Sequence, residues 1–258
     1  MNMNRLCLSF LFVLVINTIS IAGLYWDDGQ PHTINDDSYE DRILWVDYHI
    51  ANNPGTHVDL VDGIVGNGLR AYNNATILMT GGSFGITTGG LESRQGIYAY
   101  DNVTIDMQGG AVGNDLNALG SANVTISGGE IGRSIKAKNN ATVTVKGGYF
   151  PGRYLNVYDD GVIYLEGYDF EINGKPLSYG DKLSDYGILV ENGHEDYYSG
   201  VITGKFADST QIDNNFRIFN TGANEGSADI IIVPEPAMLI FSLLGCYLIY
   251  RRKMNVSF

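Results

Sequence analysis

Cysteine is nearly absent from this chain of 258 residues, which contains two, Cys7 and Cys246. Each lies in an apolar segment close to one end of the chain, so residues 24–232 contain none. A disulfide framework is therefore excluded for this region, although it is the usual support of small exported domains. We expect stability to come from packing between repeated structural units instead.

Basic residues are also scarce. Residues 24–232 carry 12 Lys and Arg against 28 Asp and Glu, a formal charge of −16. A surface of this sign repels phosphate backbones, so we expect no nucleic-acid partner, and it also argues against polyuronate ligands. No spacing typical of metal ligands occurs among the four His, and we expect neither a metal nor a cofactor. These four are His32, His49, His57 and His194.

Glycine, by contrast, is abundant at 33 positions, and much of it is periodic. One series recurs at intervals of 19, 28, 19, 19 and 19 residues, which a period of 19 with one nine-residue insertion explains. A fixed period of this size is typical of a solenoid. We call this series the marker glycines: Gly63, Gly82, Gly110, Gly129, Gly148 and Gly167.

Apolar residues keep fixed distances from the marker glycines. A spacing of two residues places side chains on one face of a strand, so these positions are predicted to point into a core. Five residues before the markers stand Val58, Ile77, Ile105, Val124, Val143 and Val162. Three before them stand Leu60, Met79, Met107, Ile126, Val145 and Tyr164. Two after them stand Val65, Phe84, Val112, Ile131 and Phe150. Earlier in the unit come Leu69/Ala71, Ile97/Ala99, Leu116/Ala118 and Ile135/Ala137.

The fold predicted from this pattern is all-β: a single-stranded, parallel, right-handed β-helix with rungs of about 19 residues over 55–167. Turn residues precede each strand at Gly55, Asn74, Asn102, Ser121, Asn140 and Asp159. An α-helix would need an apolar period of 3.6 and would tolerate paired glycines poorly. Six rungs would form a rod of about 25–30 Å. We assign residues 23–54 to an N-terminal cap and 168–232 to a C-terminal β cap region.

Residues 1–22 are predicted to be a secretory signal peptide. Arg5 supplies the basic start, residues 6–16 are apolar, and Ser20-Ile-Ala22 offers small residues for cleavage after Ala22. A membrane anchor is the competing interpretation.

The last 26 residues, 233–258, contain Val233-Pro-Glu-Pro236, an apolar run over 237–250 and the basic cluster Arg251-Arg-Lys253. This arrangement resembles the PEP-CTERM sorting signal. The resemblance implies export, cleavage near Pro234, Glu235 and Pro236 by an exosortase-type enzyme, and release to the cell surface or extracellular matrix. Arg251, Arg252 and Lys253 would remain cytoplasmic, with a hydrophobic helix in the membrane during transit. The apolar run is 14 residues long, short of the roughly 20 that span a bilayer, and a plain tail anchor is the alternative.

A strand–turn–strand pattern over 200–218 also resembles a segment common near the C-terminal end of exported proteins with such tails.

Three short motifs match catalytic or ligand-binding patterns in their letters alone. Gly66-Asn-Gly-Leu-Arg-Ala71 resembles a dinucleotide fingerprint, and Gly81-Gly-Ser-Phe-Gly85 resembles a nucleophile elbow. Both patterns need a following helix, whereas here a strand is predicted. Asp115, within 109–116, would belong to a calcium nonapeptide, but the period is wrong.

Asp59 and Asp106 share an outward position two rungs apart, or roughly 10 Å, near the upper limit for an inverting glycosidase. Leu78 lies between them, which favours ordinary surface carboxylates. The insertion near residues 86–96 is interpreted as a tolerated loop, with a binding loop as the alternative.

Two functions remain. The first is a non-catalytic, exported surface or matrix protein that binds exopolysaccharide or another surface protein, with the many Tyr and outward Thr offering sugar contacts. The second is a polysaccharide lyase or hydrolase on the same fold, which rests on fold analogy alone. We favour the first, because outward positions are mostly neutral and no carboxylate–cation cluster is evident.

Overall fold

The computed structural model describes residues 23–39, 42–49, 55–85, 96–151, 154–191, 195–219 and 226–235. These ranges form an all-β structure with one 3-10 helix, Leu183–Asp185. Most of the strands pair in parallel in long sheets, as in a β-helix-like solenoid.

Sheet A contains eight strands that pair in parallel, each with the next in space. In spatial order they are β1 (Leu24–Trp26), β3 (Leu44–Val46), β6 (Leu69–Ala71), β9 (Ile97–Ala99), β12 (Leu116–Ala118), β15 (Ser134–Ala137), β17 (Tyr154–Tyr158) and β22 (Gln211–Phe219). The registers have no shifts, so residues at equivalent positions form straight rows across the sheet.

Sheet B is built in the same way. In spatial order its strands are β2 (Pro31–Asn35), β4 (His57–Asp62), β7 (Thr76–Met79), β10 (Thr104–Met107), β13 (Asn123–Ile126), β16 (Thr142–Val145), the first half of β18 (Val162–Ile172) and β23 (Asp229–Val233). Sheet C is narrower: β5 (Ile64–Val65), β8 (Ser83–Phe84), β11 (Ala111–Val112) and β14 (Glu130–Ile131). Along the chain each repeat supplies one strand to sheet B, one to sheet C and one to sheet A.

One hydrophobic core is shared by the three sheets. Its members include the inward positions that the sequence predicted in the first five repeats, which are all buried. Ala at the second inward position of sheet A, as at Ala99 and Ala118, leaves room for large side chains opposite, such as Met107.

The marker glycines have a positive φ that L-residues rarely adopt, as at Gly110 with φ 78°. A Cβ at Gly110 would also lie 2.4 Å from the carbonyl oxygen of Gly81 in the preceding repeat. Glycine therefore recurs here because the backbone turns sharply while it touches the repeat before it.

The sixth repeat differs from the prediction. Val162 and Tyr164 were expected to point inward, but Ile163 and Leu165 are the buried residues, at 0 % exposure. Sheet register explains the difference, because Ile163 pairs with Val143, and Leu165 with Val145. This repeat is therefore one residue longer than the others, and Gly167 does not continue the marker series.

The turns before the sheet B strands lie where the sequence placed them. The left-handed residue, however, is the first of each turn pair in the regular repeats: Asn73, Asp101, Gly120 and Asn139. Asn and Asp tolerate this backbone better than other non-glycine residues, which accounts for their recurrence.

Parallel pairing extends beyond residues 55–167. Strands β1 to β3 continue sheets A and B on one side, and β22 and β23 continue them on the other. The predicted strand–turn–strand segment is confirmed as an antiparallel hairpin of β21 (Tyr197–Phe206) and β22. Further antiparallel partners are β19 (Lys175–Pro176), which pairs with β18, and β20 (Ile188–Val190), which pairs with β21.

Candidate functional site

The outward face of sheet A carries a row of large side chains. Each strand has one outward residue between two inward ones, and strict register aligns these across the sheet. In spatial order the row is Tyr25, Trp45, Arg70, Tyr98, Asn117, Lys136, Asn156 and Arg217. A second row directly follows the strands and contains Tyr72, Tyr100, Leu119, Lys138, Tyr158 and Phe219.

Aromatic rings dominate the half of this face formed by β1, β3, β6 and β9. We call Tyr25, Trp45, Tyr48, Tyr72, Tyr98 and Tyr100 the aromatic platform. Tyr72 stacks on Tyr100 with ring centroids 4.6 Å apart and an interplanar angle of 6°. Trp45 and Tyr72 are parallel within 4° at 6.2 Å, and Tyr25 and Trp45 within 16° at 5.9 Å. Because these rings cover one another's faces, they turn a rigid row of ring edges and phenol groups to solvent.

Tyr48 is oriented differently from the stacked rings. It is tilted by 59° to Trp45 and by 63° to Tyr72, and it lies across both at about 5 Å. Its exposed fraction is 47 %, as is that of Tyr25. The bend at residues 47–49 positions it, because the Tyr48 amide donates a hydrogen bond of 2.8 Å to Asp27 Oδ1. Tyr48 is thus a fixed aromatic ring with much of its surface available for contact.

Arg70 lies within the platform. Its guanidinium carbon is 4.7 Å from the Trp45 ring and 5.6 Å from the Tyr98 ring, an arrangement that favours a cation between two π faces. This contact extends the stack from β3 through β6 to β9.

The platform phenols stay protonated at neutral pH. Burial, with Tyr100 nearby, raises the pKa of Tyr72 to about 12, and burial also raises the pKa of Tyr100. A neutral phenol both donates and accepts hydrogen bonds, which suits it to ligands rich in hydroxyl groups.

The residues predicted to take part in sorting lie mostly beyond this region. Ala22, Pro236, Arg251, Arg252 and Lys253 fall outside the described residues, as does the predicted hydrophobic helix. Pro234 and Glu235 directly follow β23, and Glu235 lines a cavity of about 590 Å³ with Tyr168, Phe170 and Tyr179 among its walls. Within the described ranges, no helix is long and apolar enough to cross a membrane.

Asp59 and Asp106 are in register with Leu78 between them, as predicted. Asp59 is 2.9 Å from His57 Nε2, and Asp106 accepts a 2.7 Å hydrogen bond from Gln108, so each carboxylate is engaged by a residue of its own segment. The insertion at 86–95 falls outside the described residues, so whether it approaches these carboxylates is not addressed.

The three motif matches occupy structural positions. Residues 66–71 form a turn and strand β6, and Ser83 lies in β8 of sheet C with both neighbours in extended backbone. Asp115 is 2.6 Å from the Lys136 ammonium on sheet A. Among the residues that the structure describes, no three His, Cys, Asp or Glu form a group that could hold a metal ion.

Sequence analysis anticipated sugar contacts from Tyr in general but missed the platform. A signal was present, because Tyr72 and Tyr100 both stand ten residues before a marker glycine. Only inward positions were compared between repeats, and Tyr48 and Trp45 precede the regular repeats altogether.

Comparison with known proteins gave no match to any protein-family model, curated protein or solved structure.

Proposed function

We propose that this protein is an exported, non-catalytic surface or matrix component that binds exopolysaccharide through the aromatic platform. The observation that carries the proposal is the packing of six aromatic side chains on one flat sheet face, with Tyr25 and Tyr48 about half exposed. Aromatic rings and neutral phenols together suit a ligand that has both C–H surfaces and hydroxyl groups.

The geometry favours binding over catalysis. The residues of the platform are held by stacking rather than by acid–base pairs, and the two candidate carboxylates on sheet B are each engaged locally. A general acid and base would need a shared cleft and separated pKa values. No observation on the described residues favours the lyase or hydrolase alternative.

Affinity electrophoresis of the full chain tests the proposal. The gels would contain hydroxyethyl cellulose or other soluble neutral polysaccharides, and the protein would be kept in a detergent without a sugar headgroup. Tyr48→Ala should weaken retention about tenfold, or about 1.4 kcal/mol, because a half-exposed ring is lost. Tyr149→Ala is the matched control, since Tyr149 is 61 % exposed but lies beside sheet C. Equal retention of all three proteins on every polysaccharide would contradict the proposal.

We also propose that the chain is sorted through its C-terminal signal, with an exosortase-type enzyme and the secretion machinery as partners. The Pro-Glu-Pro motif, the apolar run and the basic cluster support this. Glu235 directly follows the last strand, so cleavage there would leave the sheets intact. In a host that has an exosortase, wild type should appear as a shortened, released form, and Glu235→Ala should stay larger and membrane-associated. Identical products from both would count against sorting by this route.

A closed, right-handed β-helix is the finer architecture we propose. Its support is the order of strands, since sheets B, C and A alternate in each repeat around one core. Parallel strands joined by crossovers are right-handed in nearly all proteins. A crystal structure with a left-handed coil would overturn this.

A further inference from the structure

The half of sheet A farther from the aromatic platform carries a second cluster, which contains cations as well as rings. Arg217 lies 3.8 Å from the ring centroid of Tyr154 and 5.3 Å from that of Tyr197. Beside it, Tyr158 stacks on Phe219 at 4.4 Å and 6°. We call Tyr154, Tyr158, Tyr197, Arg217 and Phe219 the arginine cluster. Strands β17, β21 and β22 bring these residues together.

Arg217 differs from the other cations near this cluster. Lys136 is paired with Asp115 at 2.6 Å, and Lys138 lies 4.0 Å from Asp159. Within the described part of the chain, no carboxylate lies within 4.0 Å of the Arg217 guanidinium. The nearest acidic influence on the cluster is Glu195, which helps to raise the pKa of Tyr158 after burial, the main cause.

The geometry of Arg217 suits a planar anion. With its face against Tyr154, the guanidinium presents its N–H groups at the edge, where a carboxylate can accept two parallel hydrogen bonds. Stacking also fixes the side chain in advance, so less rotamer entropy is lost on binding. Arg217 is half-buried, which strengthens a charge pair relative to one in open solvent.

The two clusters lie on one continuous face. From β6 to β22 there are five strand spacings, or roughly 24 Å. Polar side chains occupy the row between them, at Asn117, Lys136 and Asn156. One extended chain lying across the strands would reach both.

We propose that the arginine cluster binds a carboxylate-bearing sugar of the same polysaccharide whose neutral sugars contact the aromatic platform. This deepens the proposed function and depends on it. The charge of −16 over residues 24–232 would repel a polymer with an acid on every sugar. The ligand class is therefore a mostly neutral polysaccharide with sparse carboxylates.

Xanthan and carboxyl-reduced xanthan form the matched pair of probes, because they share a backbone and differ in their acidic sugars. Affinity electrophoresis of the full chain should show about tenfold tighter retention on the native polymer, and this preference should fall as salt rises. Arg217→Gln should abolish the preference while leaving retention on the reduced polymer unchanged. Arg217→Lys should recover part of it, since charge remains but the planar fork is lost.

Lys205→Gln is the control, because it also removes one positive charge and one ring contact, at 5.7 Å from Tyr168, outside the arginine cluster. Equal retention of wild type on both polymers would overturn this inference and leave the proposed function standing. An equal loss on both polymers with Arg217→Gln would reduce Arg217 to a structural role and overturn it as well. Retention on neither polymer, nor on any neutral polysaccharide, would remove the proposed function and this inference together.

Discussion

At the scale of single residues, the buried carboxylate of Asp229 couples stability to pH. It is 2 % exposed in β23 and accepts hydrogen bonds from the amide and hydroxyl of Ser184, which tie the 3-10 helix to sheet B. Burial raises its pKa above the ordinary 3.8, and these hydrogen bonds oppose the shift without cancelling it. The folded state therefore holds this proton more tightly than the unfolded state does.

We predict that Asp229→Asn gains stability relative to wild type as pH rises above 3.8. Between the unfolded and the raised folded pKa, wild type loses unfolding free energy because the carboxylate must ionise in a buried place, whereas Asn does not titrate. Urea unfolding at several pH values would measure the difference between the two proteins. A difference independent of pH would contradict the prediction, and Ser184→Ala should shift the effect to higher pH.

At the scale of the strand, the longer sixth repeat can be tested directly. We predict that Leu165→Ala lowers the unfolding free energy by about 2–5 kcal/mol, because Leu165 is 0 % exposed in β18. Tyr164→Ala, its neighbour on the outward face, should cost about 1 kcal/mol or less. Unfolding in urea distinguishes the two. The reverse order of losses would restore the regular spacing that the marker glycines implied.

The marker glycines also belong to the scale of the strand and its turn. Gly110→Ala should cost about 3 kcal/mol or more, because its φ is 78° and the Cβ would meet the Gly81 carbonyl at 2.4 Å. Gly174→Ala is a matched control with φ 76° and open space around the Cβ, and about 1 kcal/mol is expected. Unfolding midpoints would compare them, and equal losses would mean that contact between repeats is not what requires glycine.

At the scale of the whole molecule, the sheets share one core without a disulfide. Each repeat contacts its neighbours through parallel pairing, so stability is the sum of many local contributions. We predict that the full chain regains its far-ultraviolet circular dichroism after urea is removed, equally well with and without a thiol reductant. Refolding that fails only in reductant would show that Cys7 or Cys246 supports the fold, contrary to this expectation.

Much of this architecture was predictable from the sequence. Parallel repeats place equivalent residues in equivalent backbone, so Gly at the sharp turn and apolar residues at inward positions had to recur, as at Gly110 and Met107. The exception at Ile163 arises because one added residue moves every side chain of a strand to the opposite face. Spacing from a glycine cannot detect such a shift when the neighbouring residues are also apolar.

The sequence by itself determined the repeat, the inward faces and the absence of cross-links, because these depend on local backbone geometry and composition. Only the tertiary structure decided which outward side chains meet. Tyr48 reaches the platform through a bend held by Asp27, and Arg217 reaches Tyr154 through a hairpin that lies outside the regular repeats. Outward positions are free of the packing constraint that repeats the core. Their neighbours therefore follow from strand register, which no single stretch of the chain contains.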